Sequence, residues 1–122
     1  MIKTLGAKIY AAIAHRKNQK WITRPIDAQK KVFNLLIKRG LKTRFGKEHD
    51  FEKIKSIKEF QSAIPIRDYE GLKKYIDAIL NGESDVLWPG RPLYYAKSSG
   101  TTSGAKYIPI TKESMPQHIR AA

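Results

Sequence analysis

The chain has no cysteine. That excludes a disulfide scaffold and any thiolate metal or redox centre. Its three histidines, His15, His49 and His118, are far apart and show no metal-ligand spacing. No apolar run approaches the ~20 residues that span a bilayer. Acidic residues are scarce, 11 against 24 Lys and Arg, so the 122 residues carry a formal +13. Serine is missing before Ser56, which does not fit a mitochondrial presequence despite the few acids there. The apolar stretch Ile9–Ala14 is too short for a secretory signal, and Arg16 and Lys17 follow it. These absences lead to the expectation of a cytoplasmic protein. No internal repeat is visible.

What is present suffices for a core. Apolar residues make up 41% and aromatics 10%, and a chain of this length buries roughly two-thirds of its unfolded surface. The length fits one domain. The charge is lopsided: residues 1–48 hold 13 Lys/Arg against Asp27 and Glu48, a net +11, and residues 49–122 hold +2. A footprint for nucleic acid or an anionic surface, a targeting segment, and the wet faces of amphipathic helices all produce such a pattern.

Ile2, Leu5, Ile9 and Ile13 recur at helical spacing and predict an amphipathic first helix. Pro25 and Asp27 suit the first turn of a second, with Ala28, Val32, Leu35 and Leu36 as its stripe and Gly40 as its stop. Leu41–Phe51 reads as a short irregular connection. Ser56-Ile-Lys-Glu59 is a capping box opening a short helix through Phe60 and Gln61. Ile64-Pro65-Ile66 should be extended. Asp68 is a good N-cap for a helix marked by Leu72, Tyr75, Ile76, Ile79 and Leu80, which Asn81-Gly82 ends. Leu93–Ala96 and Tyr107–Ile110 suit short strands. A helical segment begins after Thr111 and is still running at Ala122, so the chain is expected to be cut from something longer. Tyr69, Tyr75 and Tyr95 are expected in the core or its rim. Trp21 and Trp88 are expected as buried anchors ahead of base-stacking platforms. His49 is expected as a turn or surface residue.

One segment has the composition for chemistry. Lys97-Ser98-Ser99-Gly100-Thr101-Thr102-Ser103-Gly104-Ala105-Lys106 places hydroxyls, two glycines and lysines between two strands. Glycines let backbone N–H groups turn toward an anion, hydroxyls add donors, and a lysine adds a point charge. A plain Ser/Gly hairpin turn has the same composition. The spacing is not that of a Walker A loop, because Gly100 and Gly104 have three residues between them and Ala105 follows. No G-x-G pair supports a dinucleotide fingerprint.

The segment resembles the phosphate-binding loop of the acyl-adenylate-forming superfamily. More narrowly, the chain resembles the auxin-responsive acyl-acid amido synthetases of plants and their bacterial relatives. Three blocks carry the resemblance. Thr43-Arg-Phe45-Gly46 is like that family's Thr-x-Phe-Gly. Pro65 through Tyr69-Glu70, with Tyr75-Ile76 and Asn81-Gly82, is like its Pro-x-x-x-Tyr-Glu, Tyr-Ile and Asn-Gly run. Ser98-Ser99-Gly100-Thr101-Thr102, with Lys106-Tyr107-Ile108-Pro109, is like its nucleotide loop and the strand after it. The order and spacing agree from about residue 28 to 111. In the family the lysine usually comes three residues after the position of Gly104, whereas Lys106 comes two after it, which ranks Ser98 to Ser103 ahead of Lys106 as ligands.

The resemblance implies an α/β parent whose first 122 residues form an incomplete N-terminal lobe, mainly α-helical with a small β-hairpin. It implies ATP and Mg²⁺ as cofactors, a carboxylic acid and an amino acid as substrates, and no nucleic-acid or membrane partner. The implied phosphate ligands are Ser98, Ser99, Gly100, Thr101, Thr102, Ser103, Gly104 and Lys106. No catalytic residue is assigned. The piece alone is expected to be inactive. The alternative is a small basic module for nucleic acid or an anionic surface, which leaves residues 64–111 unexplained.

Overall fold

A computed structural model of the chain describes residues 2–98 and 104–121. It divides into two compact units, Met1–Leu36 and Ile37–Ala122. As expected, the described residues are mainly helical with a small β-hairpin.

The first unit holds α1 (Ile2–Thr23) and the opening turns of α2 (Pro25–Gly40). α1 runs well past Ile13 and stops where Pro25 removes an N–H and restricts the backbone of Arg24. The single stripe foreseen for α1 does not extend along it. Leu5, Ile9 and Ile13 lie in line, but Tyr10 and Trp21 sit about 100° round from them at 3.6 residues per turn. All five are exposed. Trp21 is therefore not a buried anchor: it is 54% exposed, and its indole N–H donates to Asn18 Oδ1 at 3.3 Å. In α2, Asp27 lies in the first turn and Lys38 and Arg39 in the last, each at the favourable end of the helix dipole. Val32, Leu35 and Leu36 are exposed, and Ile37 and Gly40 are buried.

The second unit is built around α5 (Tyr69–Leu80). Asp68 caps it, its carboxylate accepting from the Gly71 N–H at 2.9 Å, and Gly82, at φ +89°, turns the chain away at the other end. Tyr75, Ile79 and Val86 form the core cluster, with Phe45, Leu72, Ala78 and Leu87 packed on it. The segment expected to be irregular instead folds into α3 (Arg44–Glu48) and a 3₁₀ turn over Phe51–Lys53. Two amides at the start of α3 donate to carbonyls far along the chain, Arg44 N–H to Asp85 O at 2.7 Å and Phe45 N–H to Val86 O at 3.0 Å. A five-residue helix is unstable on its own, and these distant acceptors are what the local sequence does not display. α4 (Ile57–Ala63) opens on the expected capping box, Ser56 Oγ accepting from the Glu59 N–H while the Glu59 carboxylate accepts from the Ser56 N–H. β1 (Tyr94–Ser98) and β2 (Lys106–Ile110) pair antiparallel with Ala96 opposite Ile108 and Ser98 opposite Lys106. α6 spans Met115–Ala121.

Candidate functional site

The Thr43-Arg-Phe45-Gly46 block is structural. Thr43 is buried, and its hydroxyl accepts from the Gly46 N–H at 3.0 Å and donates to Gly40 O at 2.7 Å. Gly46 admits no side chain, because a Cβ there would collide with the Gly40 carbonyl. The Phe45 ring meets Tyr75 edge-on at 5.1 Å and Phe51 at 5.9 Å. His49 stacks on Phe45 at 4.1 Å. It is a turn residue, as expected, at the C-cap of α3, and it is half-buried with both ring nitrogens engaged. Nδ1 lies 2.7 Å from Phe45 O and Nε2 lies 3.0 Å from Arg67 Nη2. Since a carbonyl can only accept, Nδ1 carries the proton and Nε2 accepts from the guanidinium. This arrangement holds the ring in one tautomer and leaves it no free lone pair.

Glu48 joins α3 to α5. One carboxylate oxygen accepts from Tyr75 Oη at 2.6 Å and from Lys74 Nζ at 3.2 Å, and the other from Arg44 Nε at 3.0 Å. Tyr75 is fully buried. Its hydroxyl first, then Arg44 and Lys74, lower the Glu48 carboxyl to about 2.

α5 then positions the hairpin at both its ends. Near the C-terminal end, Tyr95 of β1 donates from its hydroxyl to Ile79 O at 3.1 Å. At the N-terminal end, the hydroxyl of Tyr69 accepts from the backbone N–H of Tyr107 in β2 at 2.9 Å. The base of the hairpin is closed by Leu93 N–H to Ile110 O at 2.8 Å. Beside it, Ile79, Val86, Trp88, Pro92 and Pro109 line an apolar cavity of about 120 Å³. Among the described residues no titratable group lines this cavity. Trp88 is half-buried, with its indole N–H donating to Glu113 at 3.3 Å.

The strands run further toward the turn than the sequence indicates. Ser98 and Lys106, foreseen as loop residues, are the last and first residues of β1 and β2 and face each other in register. Cross-strand partners put their side chains on one face, so a hydroxyl and an ammonium flank the mouth of the turn. Gly104 lies within the turn at φ +81°, with open space where a Cβ would stand. Ser99, Gly100, Thr101, Thr102 and Ser103 lie outside the described residues. Lys106 is half-buried, and its ammonium sits 5.6 Å from the centroid of the Tyr69 ring. Between Asp85 and Glu113 there is no acidic residue, and Arg91, Lys97, Lys106 and Lys112 are all cationic. Of these, the register places Lys106 beside Ser98 at the turn and puts Arg91 and Lys112 past the base of the hairpin, so the groups at the turn that suit an anion are the Ser98 hydroxyl and the Lys106 ammonium. Tyr69 lies at the rim, as expected; what composition and periodicity do not show is its bond to the Tyr107 N–H. Its place in the Pro65-x-x-x-Tyr69-Glu70 block was the available signal.

The profile of the GH3 family N-terminal domain matches residues 14–122. Among curated proteins, the chain is 31% identical over 93 residues to the indole-3-acetic acid-amido synthetase GH3.2 of Arabidopsis thaliana, covering 75% of this chain and 17% of that one. It is 40% identical over 62 residues to GH3.15 of the same plant, covering 49% and 10%. With GH3.3 it shares 31% over 97 residues, covering 77% and 16%. The chain thus spans less than a fifth of the length of these relatives. No solved structure matches it significantly.

Proposed function

The chain belongs to the GH3 family, and from that premise we propose that it is the N-terminal portion of an ATP-dependent acyl-acid amido synthetase. The whole protein would adenylate a carboxylic acid, release pyrophosphate, and pass the acyl group to an amino acid. The part played by these 122 residues is to hold the β- and γ-phosphates of ATP in the turn between β1 and β2. Ser98, Ser99, Gly100, Thr101, Thr102, Ser103 and Gly104 supply hydroxyl and backbone donors, and Lys106 a point charge. Such groups work by positioning and by neutralising charge, without covalent chemistry.

The observation that carries the reading is the acid-free, cationic hairpin with Ser98 and Lys106 in register at the mouth of a glycine-bearing turn. The similarity to indole-3-acetic acid-amido synthetases supports the reaction class. Among the described residues no group of three or more His, Asp or Glu could cage a metal ion. Mg²⁺ enters the proposal as the companion ion of the nucleotide. Among the described residues no helix is long and apolar enough to cross a membrane. Cytoplasmic residence is part of the proposal.

The test is ATP–pyrophosphate exchange by the full-length protein with a carboxylic acid. Ser99→Ala and Thr101→Ala should each raise the KM for ATP by about tenfold, the scale of one charge-assisted hydrogen bond. Exchange unaffected by both substitutions would sink the loop assignment. The 122-residue chain alone should give no exchange.

A further inference from the structure

Within that reading, we propose that Tyr69 is the positioning residue that sets Lys106 and the start of β2 for the triphosphate. Tyr69 acts twice on the same stretch. Its hydroxyl accepts from the N–H of Tyr107, the residue directly after Lys106, at 2.9 Å. Its ring lies under the Lys106 ammonium at 5.6 Å. One side chain therefore fixes both the backbone beside Lys106 and the resting place of its charge.

Tyr69 is itself firmly held. It is the first residue of α5, directly after the Asp68 cap, and α5 carries the buried Tyr75, Ile76 and Ile79. The ring is half-buried, so the hydroxyl projects from a rigid element to the strand edge. Tyr95 ties β1 to the opposite end of α5 but joins the strand three residues before Ser98. Of these two links, the Tyr69 hydroxyl is the one nearer the turn. A π face beneath an ammonium holds it weakly and reversibly. Lys106 can leave Tyr69 for a stronger anion without a large penalty.

This inference rests on the loop holding phosphates, and its test separates the two. Equilibrium binding of ATP and of AMP is measured on the full-length protein, comparing wild type, Ser99→Ala, Lys106→Met and Tyr69→Phe. The phenylalanine keeps the ring and loses only the hydroxyl. Ser99→Ala and Lys106→Met should weaken ATP and leave AMP unchanged. Tyr69→Phe should weaken ATP about fivefold, the scale of one neutral hydrogen bond, with AMP and the melting temperature unchanged. Amide exchange at Tyr107 should speed up in the same variant. A merely structural role for Tyr69 would weaken ATP and AMP alike, and that result overturns the proposal. So does unchanged ATP affinity in Tyr69→Phe when the loop variants do weaken ATP. If Ser99→Ala and Lys106→Met also leave ATP affinity unchanged, the loop reading itself falls and takes this inference with it.

Discussion

Gly46 is a position where backbone meets backbone. An added Cβ would collide with the Gly40 carbonyl and sit 3.2 Å from the Thr43 hydroxyl that caps α3. Neither neighbour can step aside, because Thr43 is buried and bonded to both glycines. Gly46→Ala should therefore cost about 3 kcal/mol or more, the upper range for overpacking. Gly6→Ala is the control. It lies in the interior of α1 with open space around it, and alanine there should stabilise by up to ~1 kcal/mol through helix propensity. Urea unfolding of both variants checks the contrast, and equal effects would refute it. The same block shows what one residue's identity conveys. The sequence marks Gly46 as part of a recognisable motif, but only the contact with Gly40 reveals that its function is close approach. His49 shows the limit from the other side. A histidine in a polar stretch reads as a turn or surface residue, and the turn is found, but the stacking of Phe45 and the bond from Arg67 are invisible until the structure is seen.

At the scale of elements, α3 and α5 are joined through a carboxylate that titrates. Glu48 is lowered from the ordinary 4.5 to about 2 by Tyr75, Arg44 and Lys74. A carboxyl depressed by folding stabilises the fold fully above its unfolded value, and loses that contribution as pH falls through its folded one. The stabilising effect of Glu48 is thus complete above pH 4.5 and disappears toward pH 2. Glu48→Gln should melt below wild type at pH 7, and the two curves should converge on acidification through that window. A gap that stays constant with pH would contradict this. The elements also differ in how readable they were. α4 and α5 were legible because their caps, Ser56–Glu59 and Asp68–Gly71, lie within four residues. The second helix was legible from its proline and glycine. α3 was not, because its amides bond to Asp85 and Val86. The hairpin is legible, but the extent of its strands is not, since pairing of Ser98 with Lys106 depends on register across the strands.

For the whole molecule, the exposed apolar surface is the decisive quantity. Val32, Leu35, Leu36, Ile66, Ile108 and Ile119 are all exposed, Ile66 completely. Exposed apolar residues in such numbers mark association surfaces or aggregation hazards, and a charge of +13 opposes self-association by repulsion. The 122-residue chain expressed alone should bind Nile red and lose solubility as salt screens that charge. Absence of dye binding together with cooperative, protease-resistant unfolding would count against it. The charge itself reads differently from the composition alone. The excess sits in residues 1–48, whereas residues 86–112, which include the hairpin, hold no acid and four cations. The bonds from α3 to Asp85 and Val86 carry a further consequence, in time. They join positions about 40 residues apart. At ~5–20 residues per second on the ribosome, the acceptors are made roughly 2–8 seconds after Arg44 and Phe45. Through that interval the Thr43–Gly46 motif is a nascent stretch without its partners, and it closes only when the segment leading into the hairpin arrives.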